Sequence, residues 1–329
     1  MKKIMNNPGQ IVDDMLQGLS YMHGDLVERL DGYDVIVRKA AKDGKVAIIS
    51  GGGSGHEPSH AGFVGEGMLS AAICGAVFTS PTPDQILEAI KAADEGAGVF
   101  MVIKNYSGDI MNFEMAQELA EMEGIAISSV VVDDDIAVEN SLYTQGKRGV
   151  AGTILVHKIL GYAAHQGKSL EEIKAIADAL VPQIKTIGLA LTGATVPEVG
   201  KPGFVLADDE FEYGVGIHGE PGYKKEKMKA SKELAAELVG KLDQEFQMEA
   251  GQSYALLING LGGTPLMEQY VFANDVAQLL EEKNITVAYK KIGNYMTSIE
   301  MDGLSLTLLK LENQQWLEAL QANVITPAW

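Results

Sequence analysis

The residues with the clearest potential for chemistry are two histidines in glycine-rich turns. His218 lies in residues 213–222 (YGVGIHGEPG), where glycines let the backbone turn sharply and approach a bound molecule closely. His56 lies in residues 51–58 (GGGSGHEP), which also combine glycines with His, Glu and Pro. Such a turn frees the ring from packing, so we expect His218 to face a cleft. We expect His56 to present its imidazole beside the backbone N–H groups of the glycines that precede it. The alternative for each is a surface turn with an incidental histidine.

A carboxylate completes this candidate site. Asp109 follows Ser107-Gly108 at the end of a predicted strand, although it could instead only cap the next helix. Together these groups make a complete small-molecule site: one histidine is the nucleophile, a second histidine and the carboxylate transfer protons, and backbone N–H groups bind an oxygen. We expect structural roles for the histidines on predicted helical segments, which are His23, His157 and His165.

Residues 56–60 (HEPSH) match the zinc-protease signature H-E-x-x-H literally. That signature needs both histidines on one face of a helix, whereas Pro58, directly after a run of glycines, fits only a helix's first turn. No third ligand is evident downstream. We therefore expect no metal on this chain, and a zinc hydrolase stays the less favoured alternative.

Three glycine-rich turns raise the question of a nucleotide site. Residues 51–55 and 260–263 lack a complete G-x-G-x-x-G. Residues 214–219 match it, but acidic residues precede them instead of an apolar strand, and Pro221 follows. The sequence also has no G-x-x-x-x-G-K-[ST] phosphate loop. We therefore expect no nucleotide cofactor on this chain.

The composition narrows the class of partner. The chain has 26 Lys and Arg against 45 Asp and Glu, a formal net charge of -19, which opposes binding to nucleic acids and anionic membranes. No apolar stretch approaches the ~20 residues that span a bilayer, and residues 1–8 do not resemble a signal peptide. The single cysteine, Cys74, excludes an intramolecular disulfide and is expected in a buried strand. We expect a cytoplasmic protein.

The strands and helices that must position the site alternate along the sequence as strand-loop-helix units. Apolar residues at helical spacing predict a first helix over residues 11–30. Further strands are predicted over residues 46–50, 69–74, 99–103 and 125–132, and further helices over residues 85–93, 111–122, 149–165 and 170–180. This pattern predicts an α/β first domain, residues 1–185, with a mainly parallel sheet and helices on both faces. Ligands bind at the carboxyl ends of such strands.

A second, smaller α/β domain with a mixed sheet is expected over residues 186–329. Its predicted strands cover residues 187–191, 254–259, 286–292 and 304–311, and its predicted helices residues 227–245 and 265–282. No long linker separates the halves. We therefore expect the two domains to pack closely and to share one cleft.

Several motifs in order resemble the dihydroxyacetone kinase family. They are residues 51–58, 104–109, 133–135 (DDD), 141–144 (SLYT), 200–202 (GKP) and 214–221. The resemblance extends from the first predicted helix to residues 307–310, which is nearly the whole chain. Several long motifs in the same order are more specific than any one of them.

The resemblance implies that His218 attacks the ketone carbon of dihydroxyacetone and holds it as a covalent hemiaminal. Asp109 and His56 would bond the terminal hydroxyl and remove its proton during phosphoryl transfer. The positions expected to bind the substrate are Gly53, Ser54, Gly55, His56, Lys104 and Asp109. A reversible covalent bond would fix a small triose, distinguish it from glycerol and orient it for reaction.

The resemblance also implies partners. ATP-dependent members fuse this half to a nucleotide-binding helical half, for which this sequence has no room. We therefore expect a homodimeric, stand-alone substrate-binding subunit of the phosphoenolpyruvate-dependent system, whose separate subunit carries ADP/ATP with magnesium and is rephosphorylated by a phosphotransferase-type protein. The alternative is a dihydroxyacetone-binding paralogue that is a coactivator of a transcription regulator. His56 and Asp109 favour catalysis, because sensing needs no proton removal.

Overall fold

The computed structural model describes residues 2–40, 43–139, 144 and 146–329. It is an α/β fold built on two six-stranded sheets. Motif residues 141–143 of the family resemblance lie outside the described residues. Within the described ranges, the helices are all too short or too polar to cross a bilayer.

The first sheet lies in the amino-terminal half. Its strands are β1 Val27–Arg29, β2 Val35–Arg38, β3 Ala47–Ser54, β4 Ala71–Val77, β5 Val99–Lys104 and β6 Ile127–Val132. Their order is β1-β2-β4-β3-β5-β6, with parallel pairing from β4 to β6 and an antiparallel edge formed by β1 and β2. The apolar runs of β3 and β5 are typical of strands buried on both faces, and Cys74 is buried in β4.

Helices cover both faces of this sheet. They are α1 Ile11–Met22, α2 Pro83–Ala93, α3 Ser107–Met122, α4 Thr153–His165 and α5 Leu170–Leu180. Successive strand side chains point to opposite faces, so Ile48 packs with α1, α4 and α5 while Ile49 packs with α2 and α3. Because α3 begins shortly after β5, its first turn lies at the carboxyl edge of the sheet.

The second sheet is mixed. Its strands are β7 Ile184–Ala190, β8 Glu210–Tyr213, β9 Lys224–Lys227, β10 Ser253–Gly260, β11 Thr286–Gly293 and β12 Gly303–Lys310, and the helices of this half are α6 Ser231–Phe246, α7 Leu266–Glu282 and α8 Gln314–Gln321. The strand order is β11-β10-β12-β7-β8-β9. β10 and β11 pair in parallel, and the other neighbours pair antiparallel.

One hydrophobic core joins the two sheets. α4 packs against the first sheet and also against Leu257 of β10 and Leu309 of β12. The buried carboxylate of Asp134 accepts the Gly152 N–H at 2.8 Å and the Thr186 hydroxyl at 2.5 Å. It thereby ties the ends of β6, α4 and β7 together, since a buried carboxylate is stable only when its oxygens are satisfied.

Several elements differ from the sequence prediction. The helix predicted over residues 11–30 ends at Met22, and the chain continues into edge strand β1. The sequence analysis did not predict β1, β2, β8, β9 and α8. Short or charged segments, such as KKEK in β9, lack the apolar periodicity that indicates a helix or strand. Residues 51–54 belong to β3 rather than to a loop. Glycine is needed at residue 51 of this strand, because a Cβ there would lie 2.5 Å from the Ile73 carbonyl oxygen. The domain boundary after residue 185 falls inside β7 and stays a prediction.

Candidate functional site

His218 and His56 meet at the carboxyl edge of the first sheet. Their Nε2 atoms lie 3.1 Å apart, and the rings are nearly perpendicular at 75°. His56 comes from the loop after β3 and His218 from the loop between β8 and β9, so each half of the chain supplies one imidazole. His56 is fully buried. The His218 side chain is 17% exposed and lines a cleft of about 650 Å³.

A continuous line of hydrogen bonds runs through both rings. His56 Nδ1 lies 2.7 Å from the Thr297 carbonyl oxygen, and His218 Nδ1 lies 3.1 Å from Glu220 Oε1. Carbonyl and carboxylate oxygens only accept, so each Nδ1 carries a hydrogen. A hydrogen bond between the two Nε2 atoms then requires one further proton. The substrate-free pair therefore holds three protons on four ring nitrogens.

Burial disfavours the extra proton on His56. Burial, together with the nearby positive charges of His218 and Lys104, lowers the pKa of His56 well below its ordinary value, so the resting state of His56 in the substrate-free pair is neutral. Burial alone would raise the pKa of Glu220, but the hydrogen bond and charge of His218 and the Arg148 guanidinium lower it to about 2. With one proton between the two Nε2 atoms, the His218 ring donates from Nε2 to His56 and from Nδ1 to the Glu220 carboxylate.

Arg148 holds the loop that carries His218. Its fully buried guanidinium donates to Asp135 Oδ2 at 2.8 Å and to the Gly214 carbonyl oxygen at 2.6 Å. A Cβ added at Gly216 would lie 2.0 Å from Glu220 Oε2 and 2.7 Å from Arg148 Nη1. Glycine at residue 216 therefore lets the loop backbone close over both groups.

Asp109 lies on another wall of the same cleft, in the first turn of α3. Its Oδ1 accepts the Ser80 hydroxyl at 2.5 Å, and its Oδ2 accepts Lys104 Nζ at 3.1 Å. The ion pair is buried, with the Lys104 side chain 1% exposed. A Cβ at Gly52 would lie 2.3 Å from Lys104 Nζ, so the glycine admits the ammonium group. Each Asp109 oxygen keeps a second lone pair for a ligand.

The glycine-loop residues predicted to bind substrate have different positions. Gly53 lines the cleft. The Ser54 hydroxyl donates to the Gly75 carbonyl oxygen at 2.7 Å, and the Gly55 N–H donates to the Glu57 carboxylate at 3.0 Å. These two polar groups therefore already have protein partners, and of the three residues Gly53 borders the open volume.

Several residues of the site had no role in the sequence analysis; they are Phe78, Ser80, Tyr106, Arg148, Glu220 and Thr297. Phe78 stacks on His56 at 5.2 Å, and the Tyr106 ring meets His218 edge-on at 4.6 Å. Glu220 had a usable signal, because it lies two residues after His218. Thr297 had none, since it acts through a backbone carbonyl oxygen far along the chain.

The two histidines of the zinc-protease match lie in different surroundings. Residues 56–60 form turns rather than a helix, and His60 Nδ1 lies 2.9 Å from Nε2 of His157 inside α4, whereas His56 faces His218. Among the residues described, no group of three or more His, Cys, Asp or Glu could hold a metal ion. His165 is the last residue of α4, and His23 follows α1.

Known proteins resemble this chain over nearly its whole length. The model of the Dak1 domain matches residues 17–328. This chain belongs to the Dak1 family. The Dak1 chain is 68% identical over 328 residues to the PTS-dependent dihydroxyacetone kinase, dihydroxyacetone-binding subunit DhaK of Lactococcus lactis subsp. lactis, covering 100% of this chain and 99% of the relative. The match confirms the family that the sequence motifs indicate.

Two solved structures show the same fold as this Dak1 chain. The dihydroxyacetone kinase operon co-activator DhaQ has a TM-score of 0.91 and 44% identity, covering 96% of this chain and 97% of that one. The dihydroxyacetone kinase of C. freundii in complex with AMP-PNP and Mg2+ has a TM-score of 0.92 and 34% identity, covering 100% of this chain and 60% of that one. They confirm the predicted fold class.

Proposed function

We propose that this chain is the dihydroxyacetone-binding subunit of a phosphoenolpyruvate-dependent, phosphotransferase-linked dihydroxyacetone kinase. The observation that carries the proposal is one cleft that joins a nucleophile and a base. His218 lines one wall, with its buried partners Glu220 and His56 behind it, and Asp109, held by Lys104, lines another. The relative that is 68% identical is itself a dihydroxyacetone-binding subunit.

Capture takes place at Nε2 of His218. Glu220 keeps the hydrogen on Nδ1, so Nε2 is the nitrogen that can become free. His56 Nε2 first takes the Nε2 proton of His218. The freed lone pair then forms a bond to the carbonyl carbon, and the π electrons move to the oxygen, which takes the proton back from His56. The product is a hemiaminal hydroxyl, and the positive charge of the alkylated ring stays beside Glu220.

A covalent bond suits this cleft because the cavity is large for a triose. The cavity volume is about 650 Å³. Noncovalent contacts give a small ligand a binding free energy of at most about 1.5 kcal/mol per non-hydrogen atom, so a triose gains little from contacts alone. Contacts alone would leave the triose several orientations. The bond to His218 removes that freedom, and the remaining volume leaves room for the phosphates of the donor.

Phosphoryl transfer uses the opposite wall. Asp109 accepts the proton of the terminal hydroxyl as that oxygen bonds to the phosphorus of the partner's ATP and the bond to ADP breaks. Neutral His56 assists at the same hydroxyl, and the Lys104 ammonium offsets the charge on Asp109. Reversal of the hemiaminal then releases dihydroxyacetone phosphate. ADP/ATP and magnesium belong to the partner subunit in this proposal.

Homodimer formation in the cytoplasm is part of the same proposal. It is supported by an exposed apolar patch on the first turns of α7, which consists of Leu266, Met267, Tyr270 and Val271. The replacement Tyr270→Glu should convert the dimer to a monomer, measured by light scattering. A chain that is monomeric before the replacement would refute the dimer.

The decisive test supplies a nucleotide-bearing partner subunit with its phosphotransferase proteins and phosphoenolpyruvate. Dihydroxyacetone phosphate is measured with a coupled reductase. We expect turnover that depends on both this chain and the partner. Absence of product with a partner that is active with a known dihydroxyacetone-binding subunit would refute the proposal.

A second candidate function is coactivation of a transcription regulator after dihydroxyacetone binding. The likeness to the DhaQ co-activator structure supports it, since a sensor needs the same covalent capture. The 68% identity to a kinase subunit and the Asp109–Lys104 pair favour the kinase. A pull-down that offers both partners decides between them, because the kinase function requires retention of the nucleotide-bearing subunit.

A further inference from the structure

α3 carries an exposed apolar stripe. It consists of Met111, Met115, Leu119 and Met122, whose exposed fractions are 58%, 49%, 41% and 84%. At about 100° per residue, the four side chains lie within a sector of about 80° on the helix surface. The opposite side of the helix is buried through Phe113, Ala116 and Ala120. Large apolar side chains gathered on one solvent-facing sector mark an interaction surface.

The stripe is continuous with the candidate site. Met111 and Asn112 line the cleft, and Asp109 lies in the turn just before them. Asn112 Nδ2 donates to the Pro81 carbonyl oxygen at 2.7 Å, and Phe113 anchors the helix in the core shared with α2. α3 is therefore a fixed platform that leads from the cleft to the surface outside its mouth.

The proposed function requires a protein over this mouth. Phosphoryl transfer needs the donor phosphorus in line with the substrate hydroxyl and water excluded from the reaction. In that function the nucleotide arrives on another subunit, so the nucleotide-bearing subunit must contact the rim of the cleft. We propose that the stripe Met111, Met115, Leu119 and Met122 is the docking surface for the nucleotide-bearing subunit, an inference that rests on the proposed function.

The chemistry of the stripe specifies the partner's surface. Glu114, Glu118 and Glu121 are exposed on the adjacent side of α3, so apolar and acidic rows run side by side. A complementary surface has an apolar patch flanked by Lys or Arg, next to the bound nucleotide phosphates. Opposite charges speed association. Methionine adapts its shape to a partner, which suits a subunit that must leave for rephosphorylation after each transfer.

The test compares single replacements Met115→Lys and Leu119→Lys with Met22→Lys as a matched control. Met22 ends α1, is 70% exposed and lies on the other face of the first sheet. Placing an ammonium group in a desolvated apolar contact should raise the half-saturating partner concentration about tenfold or more. kcat at saturating partner and covalent capture of dihydroxyacetone should stay unchanged, and Met22→Lys should behave as wild type.

Direct binding of the partner, by calorimetry without substrate, separates the two proposals. If wild type captures dihydroxyacetone and turns over, but the stripe variants bind the partner as Met22→Lys does, the docking proposal is wrong and the proposed function stands. If the stripe variants lose self-association while partner binding is unchanged, the stripe contacts a second copy of this chain. That result would also refute the docking proposal. Absence of partner binding by wild type would refute both proposals.

Discussion

Replacement of Glu220 by glutamine removes a charge that lies against His218, the histidine proposed to capture dihydroxyacetone. Glu220 accepts from His218 Nδ1 at 3.1 Å and from the His218 backbone N–H at 2.9 Å. The two hydrogens go to different carboxylate oxygens, and glutamine has a donating NH2 group in place of one of them, so one hydrogen loses its acceptor. The loss of a hydrogen bond to a charged group costs about 1.5–3 kcal/mol. Because the ring alkylated in the proposed mechanism would be positive, we expect the affinity for dihydroxyacetone to fall about 10- to 100-fold.

Capture can be measured with dihydroxyacetone labelled with 13C at the carbonyl carbon. Its resonance leaves the ketone region when the carbon becomes tetrahedral, and a titration gives the affinity. The matched control is Glu212→Gln, because buried Glu212 accepts the Gly222 N–H at 2.8 Å near the end of the same loop. This control should capture as wild type does. Wild-type affinity in Glu220→Gln would refute the proton arrangement derived for the histidine pair.

The same carboxylate also links stability to pH. The pKa of Glu220 falls from 4.5 to about 2 on folding, so the folded protein binds this proton less readily than the unfolded chain. The resulting stabilisation is complete above about pH 4.5, lost as the pH falls towards 2, and worth at most about 3 kcal/mol. The deficit of Glu220→Gln in free energy of unfolding, measured with urea, should therefore shrink between pH 7 and pH 3. A constant deficit would contradict this linkage.

Three further predictions separate capture from transfer. His218→Ala should abolish the tetrahedral 13C resonance while thermal unfolding remains cooperative; a persisting resonance would assign capture elsewhere. Asp109→Asn should keep the resonance but lower kcat with the partner subunit by about 100-fold or more, the usual contribution of a general base; unchanged kcat would exclude that role. His56→Ala should slow the exchange between free and captured dihydroxyacetone, measured by line broadening, because the proton relay is lost; unchanged exchange would exclude the relay.

The sequence predicts the frame of this site because its signals are local. Long apolar strands such as β3 and β5, and glycines beside His56 and His218, can be recognised within a few residues. The position of Glu220, two residues after His218, belongs to the same class of signal, although its role emerges only from the ring geometry. The edge strands and α8 lack such signals, since pairing with neighbours rather than periodicity determines them.

Thr297 and Arg148 could not be predicted as parts of the site, because they come from segments distant from the histidines. The Thr297 carbonyl oxygen fixes the tautomer of His56 from 241 residues away, and any residue could supply a carbonyl. Arg148 reaches the His218 loop through the Gly214 carbonyl oxygen, a contact that depends on how the two sheets pack on α4. Tertiary packing, rather than local sequence, therefore determines the protonation states at this site.

The site divides into a part that a sensor would need and a part that only a kinase would need. In the proposed mechanism, reversible capture of a ketone uses His218, Glu220 and His56, and a coactivator would require no more. The buried Lys104–Asp109 pair is costly to maintain, because burying two charges carries a desolvation penalty that their attraction only partly offsets. The proposed phosphoryl transfer to a hydroxyl beneath a docked partner explains the position of this pair. The pair lies on the wall of the cleft, at the start of the helix that bears the exposed methionines. Capture alone gives no physical reason to place that carboxylate there.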